Sequence, residues 1–232
     1  MNSRLLGLAT GVVLVAGGLA GCSGSDSAGG SDGTPSTSGS ASASPYLPVP
    51  DGVSLTPPGT HLEVGDSAVV AYEPRQDQVG ALDITVTKLQ KTSIKDSFAA
   101  WQLSDEQKKS TPYFVDVTVE NVGDTDLGGR RIPLYVVNDQ NVLVESTPFA
   151  SSFEPCPSTP FPDKFPSGKS VDACLVYLLP DHGTLDAVSF RPDESFNPIT
   201  WTGEVSKAKP PKSEKSDKPG KGKKNGKGKG KN

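Results

Sequence analysis

Histidine is almost absent from this chain: 232 residues contain only His61 and His182. An ordinary imidazole base is therefore confined to two positions. His61 stands at the approach to the predicted domain and His182 in the turn Pro180-Asp181-His182-Gly183, where a lone His is usually a solvated side chain. Between Asp51 and Val205 no Gly-x-Ser-x-Gly, His-Glu-x-x-His or phosphate-cradling glycine loop occurs, which removes the recognisable nucleophile-elbow, zinc-peptidase and nucleotide-binding classes for the predicted domain. Metal chemistry has little to work with. Asp124, Asp126, Asp139 and Glu145 could attract Ca²⁺ but form no ordered ligand loop, and they read as solvated turn acids. The pairs Asp105-Glu106 and Asp193-Glu194 read the same way, because a glycosidase needs two carboxylates facing each other several Å apart and sequence does not set that distance. No catalytic residue, metal ligand or cofactor is assigned, and the chain is read as non-enzymatic.

Long apolar runs are also missing. The N-terminal apolar stretch, Leu5 to Gly21, has 17 residues, several of them Gly, against the roughly 20 a membrane-spanning helix needs. With Arg4 before it, the stretch reads as the h-region of an export signal over residues 1–21. It ends in Leu19-Ala20-Gly21-Cys22, which resembles the lipobox of bacterial lipoproteins. That resemblance implies diacylglyceryl transfer to the Cys22 thiol, cleavage before Cys22, and a protein lipid-anchored to the outer face of the cell membrane. Two acyl chains, at about 0.8 kcal/mol per buried CH₂, anchor stably where one is marginal.

Residues 22–50 follow as a Ser/Gly-rich segment too poor in apolar side chains to order itself, a tether with a reach on the order of 30 Å. At the other end, residues 206–232 hold eleven Lys against Glu214 and Asp217, a net of +9. The whole chain carries −4, so with the tail and Arg4 set aside residues 5–205 carry −14. An acidic body thus bears a basic tail that reads as disordered. Lys221, Lys223, Lys224, Lys227, Lys229 and Lys231 are the candidate polyanion contacts. After export the available polyanions are anionic cell-wall polymers and lipid headgroups, not nucleic acid. The bland readings are a solubilising tail, or one that folds back on its own acidic domain.

Between these ends, residues 51–205 are long enough for one domain with a core. Period-2 alternation dominates it. Leu82, Ile84 and Val86 alternate with Asp83, Thr85 and Thr87; Tyr113, Val115, Val117 and Val119 alternate with Phe114, Asp116, Thr118 and Glu120. Val188 with Phe190 and Ile199 with Trp201 mark further short strands. Leu134–Val137 and Val142–Val144 flank the turn Asn138-Asp139-Gln140-Asn141. Cys174–Leu179, apolar on both faces, reads as a central strand. Only Ser97–Gln107 suggests helix, as a short lid or connector. Phe98, Trp101, Phe149, Phe153, Phe161 and Phe165 fall in predicted loops, where aromatics either roof a small β core or serve as recognition anchors. The expected fold is an all-β, immunoglobulin-like antiparallel sandwich of about seven strands, with an up-and-down or jelly-roll barrel as the alternative.

Three stretches carry a family resemblance: His61-Leu62-Glu63-Val64-Gly65-Asp66, Tyr113 to Gly123 with its closing Asn121-Val122-Gly123, and Phe165-Pro166-Ser167-Gly168-Lys169-Ser170 running into Val171–Pro180. They resemble the secreted immunoglobulin-like domains of actinobacterial envelope proteins, of the mycobacterial immunoprotective extracellular antigen type. All three are strand and turn motifs, so the resemblance implies fold and location, not chemistry.

Three cysteines are an odd number. If Cys22 is lipidated, Cys156 and Cys174 remain as a pair, and export favours a disulfide between them over free thiols or a metal pair. The reading that results is a lipid-tethered immunoglobulin-like binding or interaction module with an unknown protein partner. The alternatives are a lipoprotein that delivers a small molecule and an envelope hydrolase. A convex sandwich with an aromatic patch favours the first; a pocket with convergent polar groups favours the others. Cys22→Ser is expected to leave an unlipidated precursor or a misprocessed product. Mass spectrometry of the mature wild-type protein finding an unmodified N-terminus downstream of Cys22 would sink the anchor.

Overall fold

The computed structural model describes residues 45–149, 151–157 and 159–209. The signal segment, Leu19, Ala20, Gly21 and Cys22, and the lysines from Lys221 to Lys231 lie outside the described residues. Among the described residues there are ten strands: β1 (His61–Glu63), β2 (Ser67–Arg75), β3 (Gln78–Lys91), β4 (Thr111–Asn121), β5 (Tyr135–Asn138), β6 (Leu143–Glu145), β7 (Ser170–Leu179), β8 (Leu185–Phe190), β9 (Ile199–Thr202) and β10 (Val205–Lys207). They form two five-stranded sheets. One runs β1-β9-β8-β5-β6; the other runs β10-β3-β4-β7, with β2 also paired to β3. β4 pairs β7 in one sheet while β5, β8 and β9 are neighbours in the other. The chain changes sheet between β4 and β5, β6 and β7, and β7 and β8, which is immunoglobulin-like connectivity. Two separate sheets exclude a closed up-and-down barrel, and the sheet changes follow the immunoglobulin-like rather than the jelly-roll order.

The expected antiparallel sandwich of seven strands is corrected in number and in direction. β1 joins β9 in parallel and β10 joins β3 in parallel. Each end of the domain therefore crosses to the sheet opposite its neighbour in sequence. Val64-Gly65-Asp66 makes the first crossing. Gly65 sits at φ 107°, a conformation costly for a residue with a Cβ, and its N–H donates to Val86 O at 2.8 Å. The indole N–H of Trp201, which has no exposed surface, donates to Asp66 O at 3.1 Å.

Between the sheets the alternation appears as expected. Leu82, Ile84 and Val86 of β3 face Val115, Val117 and Val119 of β4 across one side of the core, with Val136, Val188, Phe190, Ile199 and Trp201 on the other. A bulge between Val86 and Lys88 returns Leu89 to the buried side. β2 was not anticipated, since Val69-Val70-Ala71-Tyr72 shows no alternation; Val70 and Ala71 are both buried, one on each face. The domain also extends past its expected limits. Tyr46, placed by sequence in the linker, accepts the Ala71 N–H at 2.9 Å. At the other end Ser206 and Lys207, placed in the tail, belong to β10, and Ala208 is buried.

Strand β7 is corrected from a central strand to an edge strand, and its two apolar faces have different partners. Leu175, Tyr177 and Leu179 enter the main core, while Cys174, Val176 and Leu178 meet a second apolar cluster on the outer face of the sheet. Phe114, expected to face water, belongs to that cluster with Phe98 and Phe153. The expected helix over 97–107 is two single turns, α1 (Ile94–Ser97) capped by Ser93 and α2 (Asp105–Lys108) closed by a Ser104–Gln107 capping box. Between them Phe98, Trp101 and Leu103 turn onto the sheet. The edge itself is covered where Thr147 N–H donates to Val176 O at 2.7 Å.

Asn121, fully buried at the end of β4, ties several segments together. Its amide nitrogen donates to Thr125 O at 2.8 Å and Phe165 O at 2.7 Å, and its Oδ1 accepts Gly123 N–H at 3.0 Å. Its backbone exchanges bonds with Gly168 and Lys169. Gly123 has no room for a side chain, as a Cβ there would lie 2.8 Å from Ala81 N. Asn121→Ala removes three buried hydrogen bonds and leaves Thr125 O without its partner, while Phe165 O keeps Leu127 N–H and Gly123 N–H keeps Ala81 O, and it is expected to cost about 2–4 kcal/mol. Asn121→Asp, which aims carboxylate oxygen at two carbonyls, should cost at least as much at neutral pH. Urea unfolding checks both, and a loss under about 1 kcal/mol for Asn121→Ala would remove this residue from the centre of the fold.

Candidate functional site

The six loop aromatics divide once the fold is in place. Phe98, Phe153, Phe161 and Phe165 are buried, and Trp101 and Phe149 are half-buried. Phe149 and Phe153 stack at 4.7 Å, Phe98 and Phe153 at 4.8 Å, and Trp101 meets Phe149 edge-on at 4.9 Å. Phe161 and Phe165 form a separate stack at 4.3 Å. These rings roof the sheet and the loops rather than forming an exposed patch. Cys156 and Cys174 are bonded, with Cα atoms 5.1 Å apart, and the bond ties the turn from Phe153 to Cys156 to β7. Closing a loop of that size stabilises by roughly 3 kcal/mol in the chain-entropy account. Unlike the inter-sheet disulfide of antibody domains, this one lies in the outer cluster.

The acids singled out in the sequence do not converge, and among the described residues no group of His, Cys, Asp or Glu could hold a metal ion. They hold loops instead. Asp126 Oδ1 accepts from Gly128 N at 2.9 Å and Phe165 N at 2.8 Å, and Asp139 Oδ1 accepts from Thr184 N at 3.1 Å. Asp193 Oδ1 accepts from Ser195 N, Ser195 Oγ and Phe196 N. Asp105 pairs with Lys108 within α2. His61 Nδ1 lies 2.8 Å from Thr200 Oγ1, and His182 donates its backbone N–H to Lys109 O at 2.9 Å.

Convergence occurs elsewhere, in a cleft of about 910 Å³. One wall is the N-terminal segment with Tyr46 and Leu47; the end of β2, Tyr72–Pro74, lies beside it. The run Arg130 to Tyr135 leading into β5 forms another side, and the 192–197 turn closes the rim. Each side has a local cause. Tyr46 packs edge-on against Phe196 at 4.9 Å, and Phe196 against the core ring of Phe190 at 5.6 Å. The Arg130 run is held from behind, where Arg130 N–H donates to Leu127 O, Phe161 N–H donates to Arg130 O, and Tyr177 Oη donates to Leu134 O at 3.0 Å.

Three polar groups define the cleft's chemistry. Arg131 is committed: its guanidinium donates to Ser146 O and to Ser146 Oγ at 3.2 Å, and it pairs with Glu145 at 3.4 Å. That exposed ion pair contributes little, about 0–1 kcal/mol. Half-buried Arg130 makes no ion pair among the described residues. Tyr72 is the third. Its ring belongs to the core, and its buried hydroxyl has no hydrogen-bond partner among the described residues. An orphaned buried hydroxyl costs about 1–3 kcal/mol. Burial pushes the Tyr72 phenol well above its ordinary range, so it stays protonated and able to donate. Sequence reading missed this site. Its available signals were the Arg130-Arg131 doublet in an acidic body and Tyr46, the first aromatic after the Ser/Gly run.

The loop acids set an acid sensitivity. Backbone hydrogen bonds from Phe165 and Gly128 hold Asp126 below the usual carboxylate range, and the Ser195 hydroxyl and backbone do the same for Asp193. A carboxylate whose folded pKa is depressed contributes stability that is present above its unfolded pKa, about 3.9. That stability is lost as pH falls through the lower folded value. Asp116 opposes them: burial raises its pKa, so protonation favours the folded state. The melting temperature is expected to fall below about pH 4, and less steeply in Asp126→Asn with Asp193→Asn, whose amide oxygens keep the same bonds without titrating. Identical acid slopes in the two proteins would refute the assignment.

No protein-family model matches this chain, and no curated protein matches it. Among solved structures it is similar to a secreted protein from Mycobacterium tuberculosis, MPT63, at 10% identity and a TM-score of 0.44, over 63% of this chain and 97% of that one.

Proposed function

We infer that this chain is a lipid-anchored protein of the outer face of the cell membrane whose immunoglobulin-like domain is a non-enzymatic binding module. The observation that carries the binding reading is the cleft, where Tyr72, Arg130 and Arg131 line one concavity with Tyr46 and Phe196. Pockets of this size with a few convergent polar groups are the usual form of small-ligand sites. That geometry favours a domain that holds a small molecule, the second of the sequence readings, over one that recognises a partner through an aromatic patch. The anchor rests on the sequence, and the bonded pair Cys156–Cys174 supports it by accounting for the other two of the three cysteines.

The basic tail is a second attachment in this reading. Its +9 faces a body of −14, and anionic envelope polymers present denser charge than a folded surface. The anchor makes the tail's contact effectively intramolecular, so a weak contact is well occupied. Exposed charges are screened over about 8 Å at physiological salt, and the contact weakens as salt rises.

The two attachments separate in one experiment. A lipid-free mature chain is expected to bind isolated cell envelope at low salt, and truncation after Lys209, which spares β10 and buried Ala208, should abolish that part. Capture of an envelope component by the domain should survive both high salt and the truncation. Equal low-salt binding with and without residues 210–232 would remove the tail from the proposal. Absence of any salt-resistant capture would count against the binding module.

A further inference from the structure

The cleft's own chemistry narrows what it takes, given the binding reading above on which this inference rests. We propose that it binds a small amphiphilic anion, an apolar body carrying a carboxylate or phosphate head, with Arg130 and the Tyr72 hydroxyl as the two donors to the head.

Elimination among the polar lining residues leads to this pair. Arg131 is occupied by Ser146 and Glu145. Asp193 is occupied by three donors of its own turn, and Glu73 is exposed at the rim. Asn197 is exposed and Tyr135 half-buried, whereas Arg130 is a cation with no ion pair and Tyr72 a buried hydroxyl with no hydrogen bond among the described residues. Both are donors: a guanidinium has no acceptor, and a protonated phenol in a dry site offers its O–H. The complementary group is an acceptor with more than one oxygen, and a charged one makes the stronger bond. A neutral hydroxyl ligand meets the phenol but leaves Arg130 without a counter-charge.

Part of the remaining lining is apolar. Buried Ile132 and Leu134, the proline at 133 and the ring of Phe196 offer hydrocarbon contact, which an inorganic anion cannot use. A head near Tyr72 and a body along these side chains satisfies both parts of the surface.

The test uses the lipid-free mature chain, residues 22–232 with Cys22→Ser, and three probes with one apolar body: octanoate, octyl phosphate and octyl glucoside. Octanoate and octyl phosphate are expected to bind saturably and to shift the NMR signals of Tyr72 and the 130–135 backbone, and their comparison tells carboxylate from phosphate. Arg130→Gln should weaken both anions by about tenfold or more, and Tyr72→Phe by about three- to tenfold. Tyr72→Phe carries the discriminating readout, because a hydroxyl with no partner has no bond to lose. The variant should melt at or above the wild-type temperature while binding less. Glucoside binding as tight as the anions, or anion binding unchanged in Tyr72→Phe and Arg130→Gln, would overturn the anion assignment while leaving the cleft as a binding site. No probe reaching the cleft at all would also overturn it, and the envelope-capture experiment would then decide separately whether the domain binds anything.

Discussion

The side-chain amide of Asn121 is the contact on which the rest of this domain depends. It sits where β4 ends and donates to carbonyls of two different loops, at Thr125 and Phe165. The first loop goes on to cross between the sheets and, through Leu127, to the Arg130 run of the cleft. The second leads into β7. A buried amide with both donors matched is worth more than the sum of neutral exposed bonds, because each unmatched carbonyl in a dry site carries its own desolvation cost. Asp126 repeats the arrangement one turn later by holding Phe165 N and Gly128 N. Cleft geometry is therefore set from behind, by polar groups that never reach the cleft.

A second constraint acts on the opposite face. Strand β7 is an edge strand with apolar residues on both sides, an arrangement that invites edge-to-edge pairing if left bare. Here the outer face is covered by two loops whose aromatic rings stack on one another, and the Cys156–Cys174 bond holds one of them down. The first of them holds only the single turns α1 and α2. Ring burial, at about 1.5–3 kcal/mol per side chain, and one covalent link do the work that a further strand does in larger sandwiches.

Charge is organised on a longer scale. The acidic surface and the basic tail are separable by composition, and the fold places their boundary at β10, whose parallel pairing with β3 brings the start of the tail into the sheet. Truncations that respect composition alone would remove a strand. At the other end Tyr46 plays the same part, because a residue that composition assigns to the tether is a wall of the cleft.

What the sequence determined by itself is whatever depends on neighbours along the chain. Alternation in β3 and β4 marked the core faces, Asn138 to Asn141 marked the β5–β6 turn, and cysteine arithmetic marked the bonded pair. Reading the three strand-and-turn stretches as parts of an immunoglobulin-like sandwich was likewise consistent with the topology, since each motif marks a local turn. Tertiary structure decided what depends on faces meeting across the fold. β2 has no alternation because both of its faces are covered, and β7 has none for the same reason, which is why one was missed and the other was placed at the centre. The parallel edge strands arise from chain ends crossing between sheets, an event with no local signature. The cleft joins residues separated by more than a hundred positions, Tyr46, Tyr72, Arg130 and Phe196, and its defining feature is a hydroxyl left unpaired. No window of sequence contains a missing partner; it exists only where the surrounding groups have been placed.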